Sequence, residues 1–422
     1  MRKVIYNRYR FKDVLMYLTA LSLIADFACM WKLVNHSVIG NIPVGILSGV
    51  LCLIQIVLEP RFLMPARKQI QLVFIGAALL FYILLTRYNI ASFIKGYFAV
   101  FVCYYLYTNY LFTTKRILRF FKAFSNIICF ISICSLFFWL FGSVLHIMPG
   151  RTGTTYYWAS EDLPTYTYFH LYYENPIQNA GQSIARNVGV FTEAPGYSSI
   201  LTYALLIEFG IKNSDKSRTR WMRIGLLFCT MITSFSTKGI IAALLLFYLD
   251  FVLAKTSNKY IKLMKVVSSA CLILVVAYVG FSLASARLNT GSGAMRIDDI
   301  QSEIKAWLES PLWGIGYEND EAIWKYQTVI RDSGGLSMGI TVILAYGGIL
   351  FLALYVIPVF ITHKSPFFRK HKKIWILVIA LLAYNLFISN CGYYNLFIFI
   401  LAAGYTIPLV APIEIDSICK IG

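Results

Sequence analysis

Residues 222–254 read MRIGLLFCTMITSFSTKGIIAALLLFYLDFVLA, and the number of times this run crosses a bilayer decides the topology of the whole chain. It reads either as one long helix or as a short hairpin. The flanking charges choose between them. Lys212, Lys216, Arg218, Arg220 and Arg223 lie at its start, and Lys255, Lys259, Lys262 and Lys265 follow it. Loops rich in Lys and Arg stay on the cytoplasmic side, so both ends share that side and the run makes two passes. Ser234, Ser236, Thr237, Lys238 and Gly239 supply a polar turn between two arms short enough to leave a partial dip as the alternative to full crossing.

Outward from this hairpin, apolar runs of spanning length recur. The sequence predicts helices over 14–31, 38–58, 69–86, 91–110, 124–147, 196–211, 222–236, 239–254, 266–284, 336–361, 374–390 and 393–411. The chain is 58% hydrophobic and 14% charged. A soluble domain of this size has about a quarter of its residues charged. Backbone polar groups must be paired inside lipid, so the spans are read as helices. The alternating segments of a β-barrel do not appear. The first apolar run lacks a small-residue cleavage site and reads as a retained helix.

Most of the 38 Lys and Arg fall in the N-terminus, the C-terminus and alternate loops. This predicts twelve passes with both termini cytoplasmic. It also accounts for most of the +18 net charge as topology. Nucleic-acid binding requires a basic patch with a recognisable module, and neither is present. The nine cysteines read as small apolar residues in packed helices, and the five histidines show no metal-ligand spacing. No internal repeat is evident, which argues against a secondary transporter.

Two polar stretches, 148–195 and 285–335, are predicted to be large external loops. Loops this long in a compact protein are usually functional. The first contains Tyr156, Tyr157, Trp158, Tyr166, Tyr168, Phe169, Tyr172 and Tyr173. These rings suit either sugar stacking or an aromatic belt at the membrane surface.

Three places hold groups able to do chemistry. In the first, Arg186 precedes Glu193, Pro195 and Gly196 at the start of the sixth span. Pro195 suits a first helical turn and Glu193 a helix N-terminus. Arg186 has no such local role, and it can pair with Glu193 or grip a phosphate bidentately. The second is Lys238 at the hairpin tip, which either snorkels to the interface or acts from membrane depth. The third is the stretch with Arg296, Trp307, Pro311, Gly314, Gly316, Tyr317 and Glu318. Residues 296–309 predict an amphipathic helix with Ile297, Ile300, Ile304, Trp307 and Leu308 on its apolar face. Pro311 ends it, and Gly314 and Gly316 form a tight turn. The plainer reading there is an interfacial helix, with Glu318, Asp320, Glu321 and Asp332 as solvated charges. If the sixth, eighth and ninth spans are neighbours, Arg186, Lys238 and Arg296 converge where a departing pyrophosphate needs positive charge.

These motifs give a resemblance. Arg186 through Pro195, Ser236-Thr-Lys238-Gly, and Arg296…Trp307…Pro311-Leu-Trp-Gly-Ile-Gly316, in this order on the external side, resemble the Wzy-type repeat-unit polymerases of O-antigen and capsule. Those proteins share a broad superfamily with the O-antigen ligases. The resemblance implies an all-α, GT-C-like membrane protein with about twelve helices, in a bacterial inner membrane. It implies Arg186, Glu193, Lys238 and Arg296 as catalytic residues, and Tyr197, Trp307, Tyr317, Glu318 and Asp332 as substrate contacts. No metal or other cofactor is implied. The implied donor and acceptor are undecaprenyl-pyrophosphate-linked glycans, with membrane lipid, a chain-length regulator and a flippase as further partners. One departure matters: ligase relatives carry a loop His after the Gly-x-Gly turn, and residues 285–335 contain none. This favours a polymerase over a ligase and leaves Glu193, Glu318 and Asp332 as candidate bases; the other alternative, a lipid-linked-glycan flippase, is disfavoured by spans nearly free of charge apart from Asp26 and Glu208.

Overall fold

The computed structural model describes residues 2–34, 44–59, 62–149, 151–158, 161–176, 185–210, 217–270, 291–329 and 336–409. The protein is mostly helical. Its longer helices are α1 (Arg2–Ala25), α2 (Val44–Val57), α3 (Ala66–Thr86), α4 (Ile90–Thr113), α5 (Ile117–Val144), α6 (Ala194–Gly210), α7 (Ser217–Thr233), α8 (Thr237–Leu253), α9 (Gly291–Glu309), α10 (Gly339–Lys364), α11 (Lys372–Ile388) and α12 (Asn395–Thr406). Four of these, α3, α4, α5 and α10, are long and apolar enough to cross a membrane by themselves. Residues 259–270 are helical, whereas 271–284 of the ninth expected span lie outside the described residues.

The decisive run breaks where its polar residues stand. Helix α7 ends at Thr233 and α8 begins at Thr237, with Phe235 between them at φ 49°. Contacts with α6 give the directions. Ser198 and Ser236, near the starts of α6 and α8, lie 2.9 Å apart, and Phe209 meets Phe247 toward their far ends. The two helices therefore run parallel. Arg223, early in α7, bonds Glu208, late in α6, at 2.8 Å, so α7 runs opposite to both. The 222–254 run is a hairpin. Its tight seating on α6 depends on Gly239, where a Cβ would stand 2.4 Å from Ser198 Cβ.

The expected all-helical class needs one correction. The first loop folds into a three-stranded antiparallel sheet, β1 (Arg151–Trp158), β2 (Glu161–Tyr168) and β3 (Tyr172–Glu174). Register runs from Arg151 opposite Tyr168 to Trp158 opposite Glu161. Thr and Tyr favour a pleated, half-buried surface, which this stretch supplies in quantity. Phe169 and His170 both take positive φ, and Leu171 N donates to Tyr168 O at 3.0 Å, the mirror-image turn that suits strand twist. Tyr156, Tyr168, Tyr172 and Tyr173 are buried in packing, and Arg151 lies 3.5 Å over the Tyr166 ring.

The helix expected over 296–309 forms, as α9, and its faces are the reverse of a soluble amphipathic helix. Ile297, Ile304 and Leu308 point outward, while Asp298, Asp299, Ser302 and Glu303 are buried. Apolar groups facing outward fit a helix that meets lipid, and buried carboxylates must then find donors within the protein. They do. Asp298 accepts from Thr328 N at 2.9 Å, Asp299 from Gln327 Nε2 at 3.2 Å and from Ser337 Oγ, and Glu303 from Ser337 N at 3.1 Å and Thr341 Oγ1. Glu303 thus meets the N-terminal turn of α10, where unpaired N–H groups and the helix dipole favour a carboxylate.

Candidate active site

The site is built around the hairpin turn. A helix end leaves carbonyls without partners, and a basic side chain answers both their lone pairs and the negative end of the dipole. Arg186 does this for α7. Its Nε donates to Ser234 O and its Nη2 to Phe235 O, each at 3.2 Å. Asn187 adds a backbone bond to Thr233 O at 3.0 Å. The segment before Glu193 is thereby laced to the hairpin tip.

Lys238 stands in the first turn of α8, whose N-cap Ser236 accepts from Gly239 N. Its Nζ donates to Ser199 Oγ of α6 and to Ser389 Oγ after α11, each at 2.7 Å. Both hydroxyls direct their own protons to helix carbonyls, Pro195 O at 2.9 Å and Asn385 O at 3.2 Å. Each therefore offers a lone pair to the Lys238 Nζ, an arrangement that fixes its position. Tyr384 Oη donates to Lys238 O at 2.8 Å and holds the backbone from the other side.

Glu193 sits immediately before α6, partly buried. Burial raises its carboxyl above the usual carboxylate range, against the opposing pull of Lys238, then Arg186, then Arg296. The three basic residues picked out in the sequence thus all act on one acidic group. A carboxylate with a raised proton affinity, with Arg186 and Lys238 each held in place by hydrogen bonds nearby, is suited to take a proton while an anion is stabilised beside it.

The remaining candidates are placed differently. Tyr197 is fully buried, bonded to Ser135 at 2.9 Å and stacked on Phe191, so it supports the site from below. Trp307 Nε1 donates to Pro311 O at 3.0 Å and clamps the turn after α9. Gly314 and Gly316 are not a phosphate cradle. Helix α10 breaks at Gly348, at φ 61° and ψ −159°, and the 311–316 turn is hydrogen-bonded into the break. A Cβ on Gly348 would lie 2.4 Å from Leu312 C, and one on Gly314 would lie 2.5 Å from Ala345 O. Two backbones touch there, and only glycine permits it. Tyr317 is buried among Phe93, Tyr97, Tyr346 and Tyr393. Glu318 accepts from Ser92 Oγ at 2.5 Å. Neither is among the groups that act on Glu193. Asp332 lies outside the described residues. Ser199, Ser389 and Tyr384, which hold Lys238, were not anticipated from sequence. Among the described residues no group of three or more His, Cys, Asp or Glu is placed to hold a metal.

Comparison with known proteins agrees with this picture at the level of the family. No curated protein and no solved structure matches the chain. Residues 224–341, from α7 through Lys238, Arg296 and the glycine turn to the start of α10, match the family model described as O-antigen ligase, consistent with a member of the O-antigen ligase and polymerase superfamily.

Proposed function

We propose that this membrane protein joins lipid-linked glycans as a repeat-unit polymerase, with Arg186, Glu193, Lys238 and Arg296 as its chemical centre. The donor is a glycan on a polyprenyl pyrophosphate, undecaprenyl in the bacterial case. The acceptor is a hydroxyl on the next lipid-linked repeat unit. The acceptor oxygen bonds the donor's anomeric carbon as the bond from that carbon to the pyrophosphate oxygen breaks. The acceptor proton passes to Glu193, and the pyrophosphate leaves with the bonding electrons. Arg186, Lys238 and Arg296 stabilise the charge that grows on it.

The observation that carries the reading is that the hairpin turn gathers two of these cations beside the helix that Glu193 precedes: Arg186 bonds the turn at Ser234 O and Phe235 O, and Lys238 bonds Ser199 Oγ in that helix. Isolated surface charges of a transporter loop have no reason to converge so. The test is glycan chain length in membranes from cells carrying Arg186→Ala, Lys238→Ala or Arg296→Ala, with protein abundance measured alongside. Loss of long chains at normal abundance is expected, and wild-type lengths in all three overturn the reading.

A second reading, transfer of finished glycan to a different acceptor, is favoured by the description of the matching family as O-antigen ligase. The absence of His from residues 285–335 weighs against it. The external location of the loops, the inner-membrane setting, and association with a flippase and a chain-length regulator follow from the same proposal.

A further inference from the structure

Beneath the site lies a cavity of about 410 Å³, lined almost wholly by apolar side chains. Most of its wall is a ring of five helices, to which Phe112 of α4 and Phe367 and Phe368 after α10 add. Phe120 of α5 packs on Phe399 of α12, Tyr355 of α10 on Phe397 of α12, and Trp375 of α11 bonds Thr362 of α10 at 3.1 Å. Gly210 of α6 meets Ile374 of α11, and Ser135 of α5 meets Tyr197 of α6. The space is far larger than the voids of a close-packed interior and falls within the size range of ligand pockets. The few polar groups in the lining are bonded within the protein, as Trp375 is to Thr362 and Tyr355 to Gly392 O, and a lining otherwise apolar does not hold water, so the occupant is apolar.

The position of the cavity identifies that occupant more narrowly. Tyr203, which lines it, is one helical turn beyond Ser199, and Leu386 is one turn before Ser389. Ser199 and Ser389 are the two hydroxyls that hold Lys238. The cavity therefore begins directly under the basic cluster. From there its lining on α11 runs from Phe387 back to Ile374, about 20 Å at 1.5 Å per residue. That is roughly two thirds of a hydrocarbon core about 30 Å thick. Phe387 and Val356 remain exposed along it, so the space is reachable. An anion site above a long dry channel matches a molecule with an anionic head and a hydrocarbon tail.

We infer that this cavity holds the first part of the polyprenyl tail of the lipid whose pyrophosphate occupies the basic cluster, inside the helix ring rather than on the protein's outer surface. The inference rests on the function proposed above for the head-group site, and it adds a second determinant. The tail sets the depth of the lipid, and with it the height of the anomeric carbon relative to Glu193.

The test uses full-length protein in nanodiscs and a polyprenyl pyrophosphate bearing a diazirine in its tail. Peptides containing residues 374–387 and 396–407 are expected to be labelled. Unlabelled polyprenyl pyrophosphate should compete, and phosphatidylglycerol at the same concentration should not. Ala383→Phe and Ala403→Phe fill the cavity from different helices, and each should lower labelling at least fivefold, so loss of one variant to misfolding leaves the other. Labelling confined to α1–α3, or equal competition by phosphatidylglycerol, overturns the inference. A matched polyprenol probe separates it from the head-group reading. Arg296→Ala should weaken the pyrophosphate probe at least tenfold and leave the polyprenol probe unchanged. Cavity labelling without that dependence sinks the head-group reading alone, and that dependence without cavity labelling sinks the cavity inference alone.

Discussion

Lys238→Met makes the sharpest demand on the site. The substitution keeps an unbranched apolar stem and removes the ammonium that donates to Ser199 and Ser389 at 2.7 Å each. Two consequences follow. A preorganised cation aimed at the leaving group is lost, and removal of one such transition-state donor costs about 10²–10³ in turnover, or about 3–4 kcal/mol. The same change removes the strongest of the three cations that hold the Glu193 carboxyl down against burial. The proton affinity of Glu193, already raised, rises further. A base works only above its own pKa, so the acid limb of the residual activity must move to higher pH. The assay is glycan-bond formation with a purified lipid-linked repeat unit, measured from pH 5 to 9 for wild type and variant. An unshifted acid limb in Lys238→Met refutes the assignment of Glu193 as the base.

Other consequences can be checked independently. Arg186→Lys keeps the charge but cannot reach both Ser234 O and Phe235 O, so activity should fall at least tenfold with little loss of protein. Gly348→Ala forces a Cβ against Leu312 at a backbone angle that side chains avoid. It should cost about 3 kcal/mol or more and lower the thermal midpoint in detergent, whereas Gly225→Ala, with nothing within 4 Å, should not. Glu303 has its carboxyl raised by burial to about 7. A folded pKa above the unfolded value means stability that is full below about pH 4.5 and is lost as pH rises through 7. Glu303→Gln should therefore flatten the dependence of the thermal midpoint between pH 5 and 8. Cysteines placed at Ser257 and Ser160 should react from opposite sides of the membrane, and reaction from one side would remove the twelve-pass topology.

The hairpin was legible because it rests on a parity rule. Clustered Lys and Arg at both ends of 222–254 demand two passes whatever the packing, and the polar residues mark the turn. The convergence of Arg186, Lys238 and Arg296 was legible only as a condition on which helices are neighbours, and the contacts of α6 with α8 meet part of it. The strands at 151–174 were hidden because Tyr, Trp and Phe there read equally as sugar-stacking or membrane-belt residues. The burial of Asp298, Asp299 and Glu303 on α9 was hidden because helical periodicity places them on one face without saying what covers it. Ser389 is 151 residues from Lys238, and a single serine beyond an apolar helix carries no signal of that pairing. The break at Gly348 is likewise silent, since the apolar run continues through it unaltered.

The central claim, a polymerase with its basic residues gathered on Glu193, is tested most directly by giving the purified protein one lipid-pyrophosphate-linked repeat unit and no other acceptor. The account predicts a ladder of products spaced by whole repeats, one polyprenyl pyrophosphate released per bond, and a ladder that forms about 10²-fold more slowly or worse in Lys238→Met. Product formed only when a second, unrelated acceptor is added, or an undiminished ladder from Lys238→Met, would contradict it.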